Sequence, residues 1–221
     1  MNLSHWTSRP RPECRALEGS SIRLEPLDAG RHGDDLFAAG SGPEAERLWR
    51  HLWEPPFPDR ASFEGWLAKA AASDDPLFFA AIDPATGRAE GRLALMRIDP
   101  ANGVIEVGHI QFGPGLARRP AGTEAMALMM ARAFDELGYR RCEWKCDSLN
   151  APSRAAALRY GFTFEGIFRN AIVTKGRSRD TAWFSMLDRE WPARRHAFER
   201  WLDPANFDAA GRQRTPLDRT A

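Results

Sequence analysis

The chain has 221 residues, 43% of them apolar and 28% charged, which suits one domain with short extensions and a sizeable core. Thirty-one lysines and arginines against thirty acidic residues leave a net charge near +1, so no charge-driven nucleic-acid or anionic-membrane partner is expected. No stretch approaches the ~20 apolar residues of a membrane helix, and Met1–Leu17 is basic without the apolar run of a secretory signal. Cys14, Cys142 and Cys146 form an odd, sparse set that fits a reducing compartment, so a cytoplasmic location is expected. The five histidines show no metal-ligand spacing with one another or with the cysteines, and no metal site is expected.

Residues 1–19 are rich in proline and arginine and read as an extension that lies on the domain or is disordered. The domain proper is expected over 20–190, with a C-terminal helix and polar tail over 191–221. Ser21–Leu27 alternates and predicts a strand. Helical patterns follow at Asp34–Ala39, Pro43–Leu52 and Ser62–Ala72, separated by the proline-dense loop Glu54–Asp59. Leu77–Ile82, Arg92–Ile98 and Val104–Phe112 are strands divided by turn signals at Asp83–Gly87 and Asp99–Gly103, which makes an antiparallel meander. The period then changes. Met126, Met129, Met130, Ala133, Phe134 and Leu137 mark an amphipathic helix that Gly138 stops. Tyr139–Cys146 alternates as a half-buried strand; at about 13 Å apart along it, Cys142 and Cys146 cannot be bonded. A helix over Ala151–Tyr160 is followed by strands at Phe162–Asn170, Ala171–Lys175 and Thr181–Leu187, with Gly176–Asp180 as the turn before the last. Trp191–Leu202 reads as the closing helix. The crossover helix makes the strands on either side of it parallel neighbours in a mixed α/β sheet.

The chemistry-bearing stretch is Phe112-Gly-Pro-Gly-Leu-Ala-Arg-Arg-Pro-Ala-Gly-Thr-Glu124. It lacks the third glycine of a dinucleotide fingerprint and the Gly-Lys-Ser/Thr of a P-loop. It still has the makings of an anion site. Amides of Arg119, Ala121, Gly122 and Thr123 fall at a helix N-terminus, where unpaired N–H groups and the dipole favour negative charge. Arg118 and Arg119 add cations, and Gly122 would let a phosphate approach the backbone. An ordinary strand-to-helix turn is the competing reading. A second motif, Asn150-Ala-Pro-Ser153 leading to Gly161-Phe162, comes one unit later; taken alone, Asn150 is a helix cap.

Together with Gly122-Thr-Glu-Ala125 and Lys175-Gly-Arg-Ser-Arg-Asp180, these motifs resemble the GNAT superfamily of acyl-CoA-dependent N-acetyltransferases. The branch they resemble is that of bacterial ribosomal-protein N-terminal acetyltransferases. The resemblance runs from about Leu17 to Trp191. It implies a mixed, mostly antiparallel seven-stranded sheet with helices on both faces, splayed between its fourth strand (Val104–Phe112) and its fifth (Tyr139–Cys146). It implies acetyl-CoA as co-substrate: pyrophosphate at Arg118–Thr123, and the pantetheine arm along Ile110, Gln111 and Phe112 and against Asn150. Two departures stand out. Ala117 and Pro120 occupy marked positions of the family's loop, and Ala157 stands where many members have a general-acid tyrosine. Ser153 is the substitute candidate for protonating the CoA thiolate.

The implied reaction is direct attack of a primary amine, on a protein N-terminus or a small molecule, on the thioester. An α-amine of pKa ~7.7–8 is neutral in roughly one part in six to eleven at pH 7, far more than a lysine, so it depends less on a base. Glu106 and His109 are the candidate bases, each with a structural alternative: an ion pair for Glu106, packing for His109. Asp147 is a candidate for holding the substrate ammonium, or else a loop cap. Trp49 and Trp53, with Phe57, are expected to line the acceptor pocket or to pack in the core. The branch resemblance also makes a homodimer an expectation. A non-catalytic acyl-CoA-binding regulatory module is the alternative function.

Overall fold

The computed structural model describes residues 3–218. Eight strands form one sheet in the order β1-β2-β3-β4-β5-β6-β8-β7. They are β1 (Leu17–Glu18), β2 (Arg23–Pro26), β3 (Leu77–Ile82), β4 (Ala89–Asp99), β5 (Val104–Phe112), β6 (Arg141–Asp147), β7 (Thr163–Thr174) and β8 (Arg177–Leu187). All neighbours are antiparallel except β5 and β6. The count is eight where seven were expected, because Leu17–Glu18, assigned to the extension, adds to the edge through Leu17↔Leu24. Two residues carry too short an alternation to signal a strand; pairing with β2 defines it.

Six helices cover the faces: α1 (Ala29–Gly40), α2 (Ala45–Trp49), α3 (Arg60–Ala71), α4 (Pro120–Ala131), α5 (Ala151–Arg159) and α6 (Trp191–Leu202). α1 begins five residues before the predicted start, because Asp28 caps it through the Arg31 amide at 2.8 Å while Gly30 and Gly33 mask its pattern. α4 runs on into a wider π-helical turn, Arg132–Glu136, and Gly138 closes it at φ +67°, a conformation that suits glycine. The segment 162–175, expected as two strands, is the single irregular strand β7. Its turn to β8 is only Lys175-Gly176, both at positive φ, so Arg177–Asp180 belongs to β8 rather than to the turn.

Alternation divides the molecule in two. Leu93 and Leu95, Ile105 and Val107, Cys142, Trp144 and Cys146, and Ala182, Phe184 and Met186 point to one face and build the larger core with α4 and α6. The opposite face packs Phe78, Ala80 and Ala94 against Leu36, Phe63 and Leu67 of α1 and α3. All three cysteines are free. Trp191, Ala197, Phe198 and Trp201 of α6 and Leu217 of the tail are in the larger core, and the extension is tied down by Trp6 to the Ala101 carbonyl (2.7 Å) and the Tyr139 hydroxyl to the Pro10 carbonyl (3.1 Å). Among the described residues no helix is long and apolar enough to cross a membrane.

Candidate active site

Strands β5 and β6 pair only at Val104↔Arg141, Ile105↔Cys142 and Glu106↔Glu143. Beyond Glu106 they diverge, and one edge of Val107–Phe112 has no strand partner. The cause is local. Between Ala94↔Gly108 and Arg92↔Gln111, Leu93 alone opposes His109 and Ile110, a bulge with His109 at φ +50° that bends β5 away. The gap opens into a cavity of about 720 Å³. An extended chain entering it could add to the free edge as a strand does. Ile110, Gln111, Phe112, Asn150 and Ser153 line it, as do Glu106, His109 and Trp53.

The alternation that splits the cores also splits this cleft. On the face of Trp144 and Cys146, the Asn150 Oδ1 accepts from the Ser153 amide at 3.1 Å as the α5 cap. The Ser153 hydroxyl oxygen accepts from the Trp144 indole at 3.0 Å, and its own proton is directed at Cys146 Sγ or a ligand in the cleft. Tyr160 is packed near Trp144 and Phe198, with burial raising its phenol pKa, so it is turned away from the cleft.

The loop leading to α4 is at the surface, outside the cavity. Arg118 (φ +62°) and Arg119 are exposed, and Arg119 occupies the cap position without a side-chain cap. Pro120 sits at the first helical position, where an amide would be unpaired anyway. Two of the four expected amide donors are engaged within the turn: Arg119 donates to the Leu116 carbonyl (3.2 Å) and Gly122 to the Arg119 carbonyl (3.1 Å), leaving Ala121 and Thr123 as the candidates. Gly122 is needed for space of a different kind. A Cβ there would lie 3.1 Å from the Leu116 carbonyl oxygen and 3.3 Å from the Phe112 ring, so its smallness serves the turn's own packing. The sequence reading missed a third cation, Arg159, which reaches the Thr123 hydroxyl at 3.0 Å across from α5.

On the other face, Glu106 is 3% exposed and bound by Arg97 at 2.6 Å and Lys145 at 2.7 Å; Lys145 also pairs with Glu143. Glu106 is thus the acceptor of a buried ion cluster, the structural alternative. His109 lies against Phe78 with ring centroids 4.9 Å apart, and its Nδ1 is buried with no partner. Burial, then the nearby Arg92 guanidinium, pushes its pKa down to about 4, so it is neutral at pH 7. Arg92 itself is fully buried, with Nε on Gln111 Oε1 at 3.0 Å and its charge over the Trp66 ring at 4.1 Å.

Two acceptor candidates take their structural alternatives. Trp49 is 2% exposed, donates to the Gly40 carbonyl at 2.7 Å and packs edge-on to Phe57: it is core. Asp147 does not line the cavity. It accepts from the Leu149 amide at 2.9 Å and pairs with His51 at 3.1 Å, which ties the segment after α2 to the end of β6. Lys175 makes a second tie, to the Trp49 carbonyl at 2.6 Å. Trp53 does line the cavity, with the Arg179 guanidinium 5.3 Å from its ring. Arg97, Lys145, Arg179, Thr181 and Trp183, all lining residues, were missed. Arg179 falls in the four residues by which β8 starts ahead of the expected strand, while the other four lie in expected strands whose period-2 alternation was the available signal. Among the described residues no group of three or more His, Cys, Asp or Glu could hold a metal.

Residues 21–163, more than half of the chain, match the family model described as an acetyltransferase (GNAT) domain. The chain belongs to the GNAT acetyltransferase family. A GCN5-related N-acetyltransferase from Brucella melitensis is 60% identical, with a TM-score of 0.96 over 97% of both chains. A GNAT-family acetyltransferase from Chromobacterium violaceum is 44% identical, with a TM-score of 0.80 over 87% of this chain and 96% of its own. The Bacillus subtilis protein named ribosomal N-acetyltransferase YdaF is 31% identical over 105 residues, 46% of this chain. That match spans 55% of YdaF's length.

Proposed function

We propose that this GNAT protein transfers an acetyl group from acetyl-CoA to a primary amine, on a protein N-terminus or a small molecule. The observation that carries the reading is the unpaired edge Val107–Phe112 at a bulge, facing a cavity with a hydroxyl donor on one side and a polar acceptor wall on the other. An acyl-pantetheine lies along that edge, with Asn150 beside it. Arg118, Arg119 and Arg159 and the amides of Ala121 and Thr123 take the pyrophosphate outside the cavity.

In the reaction the amine nitrogen bonds to the thioester carbonyl carbon, the C–S bond breaks, the nitrogen gives up one proton and the thiolate gains one. An N–H of the free β5 edge polarises the carbonyl. The Ser153 hydroxyl, its oxygen already occupied by the Trp144 indole, donates to the departing sulfur. His109 lines the cavity as a neutral imidazole at pH 7, and because its pKa is about 4 the amine proton leaves to water instead of resting on the ring. Glu106, held by two cations, fixes Arg97 and Lys145 instead of acting as the base.

Incubation with acetyl-CoA and a panel of peptides and amines, with free thiol followed, tests the reading. Amine-dependent thiol release is expected. Binding of CoA with no such release would replace the transferase by a non-catalytic acyl-CoA-binding module.

A further inference from the structure

Resting on the transferase reading, one feature of the acceptor wall narrows the substrate class. Arg179, Thr181 and Trp183 alternate along β8 and so present one face, and all three line the cavity. Each has a buried polar atom without a partner: Arg179 Nε, Thr181 Oγ1 and Trp183 Nε1. Together they form a row about 13 Å long of groups able to donate hydrogen bonds.

Several charges around them are matched to one another: Lys145 pairs with Glu106 and Glu143, and Arg97 with Glu106. Arg179 is 9% exposed; Asp147 and Glu106 act on its charge from a distance, but among the described residues it makes no ion pair, and the Trp53 ring holds the guanidinium by its face. A buried cation without a counter-ion is costly, and unmatched buried donors add to the cost. Water can satisfy the hydroxyl and the indole, but it supplies no charge. A ligand oxyanion on Arg179 supplies that charge and can also accept from Thr181, its neighbour on the same face, whereas a polycationic acceptor does neither.

We propose that the acceptor is an amine that also carries an oxyanion, a carboxylate or a phosphate, held by Arg179 with Thr181 donating alongside.

Two matched pairs of acceptors test this: the peptides Ser-Glu-Ala-amide and Ser-Gln-Ala-amide, and ethanolamine phosphate with ethanolamine. Binding is measured by calorimetry in the presence of CoA, and turnover by thiol release. In the unmodified protein the acidic member of at least one pair is expected to bind about tenfold more tightly than its neutral partner, as a charge-assisted pair requires. Arg179→Gln and Arg179→Lys are expected to reduce that ratio, Gln to near one, with affinity for CoA alone unchanged. Preference within the peptide pair assigns an acidic N-terminal segment, and preference within the other pair a small phosphorylated amine. Equal binding within both pairs, no binding by either acidic member, or a ratio that Arg179→Gln leaves intact would overturn the proposal; the first two need no variant to fold. Acidic preference in binding without thiol release from any amine keeps the oxyanion site and removes the transferase reading.

Discussion

His109 shows how a single backbone angle couples to chemistry. The bulge that places it at φ +50° turns its ring onto Phe78 and into the field of the buried Arg92. Its pKa of about 4 in the fold lies below the ~6.5 of an unfolded histidine, so between those values the unfolded chain binds the extra proton. The associated stability is fully present above pH 6.5 and is lost as pH falls toward 4, by on the order of 3 kcal/mol in all. Urea unfolding at pH 7 and pH 5 should show part of this loss in the unmodified protein and a smaller loss in His109→Gln; equal losses would remove His109 as the source. Ser153 is testable by rate. Ser153→Ala should lower kcat by about 10²-fold, with little change in KM for acetyl-CoA, if its hydroxyl protonates the thiolate. Sequence reading named both residues because each lies in a pattern with a chemical meaning. It left Trp49 and Asp147 open between a pocket and a structural role because a tryptophan or carboxylate at a given spacing has the same signature whether it faces a pocket or a neighbouring main chain. The partners that decide, Gly40 for Trp49 and His51 for Asp147, lie on other elements.

At the scale of elements, two features bear weight. The first is the N-terminus of α4, which has no side-chain cap and has three arginines nearby. Replacing Arg118 and Arg119 together by alanine should weaken CoA binding by roughly 1–3 kcal/mol, measured by calorimetry. Unchanged affinity would leave Arg159 and the amides as the whole site. The second is the ion cluster that closes the base of the cleft, where Lys145 of β6 joins Glu106 of β5 to Glu143. Lys145→Met strands two buried carboxylates on their remaining arginines and should cost about 2 kcal/mol or more in urea unfolding. Element types were read from the sequence wherever a period ran long enough, as in β3 to β6, α4 and α6. Boundaries failed where the signal was non-local. Gly30 and Gly33 hid the start of α1, and β1 exists only through its pairing with β2.

Over the whole molecule, α6 and the tail that follows it are part of the larger core. Deleting residues 191–221 would strip Trp191, Phe198, Trp201 and Leu217 from it. At about 3–5 kcal/mol for each large aromatic side chain lost, the sum meets or exceeds the ~5–15 kcal/mol that holds a typical domain folded. The truncated chain is therefore expected to lose cooperative thermal unfolding and near-ultraviolet circular dichroism; retention of both would make 1–190 self-sufficient. The amino-acid sequence by itself determined the mixed sheet, its parallel crossover, the turn leading into α4 and the family they resemble. These depend on periodicity, glycine and proline placement and short motifs, all carried by residues close in the chain. The tertiary structure alone decided which side chains face the cleft and which of them remain unmatched. Whether Glu106 is a base or an ion-pair anchor, and whether Arg179 has a counter-ion, depends on groups 9 to 126 residues away in the chain, such as Arg97 for Glu106 and Trp53 for Arg179, that only folding brings within reach.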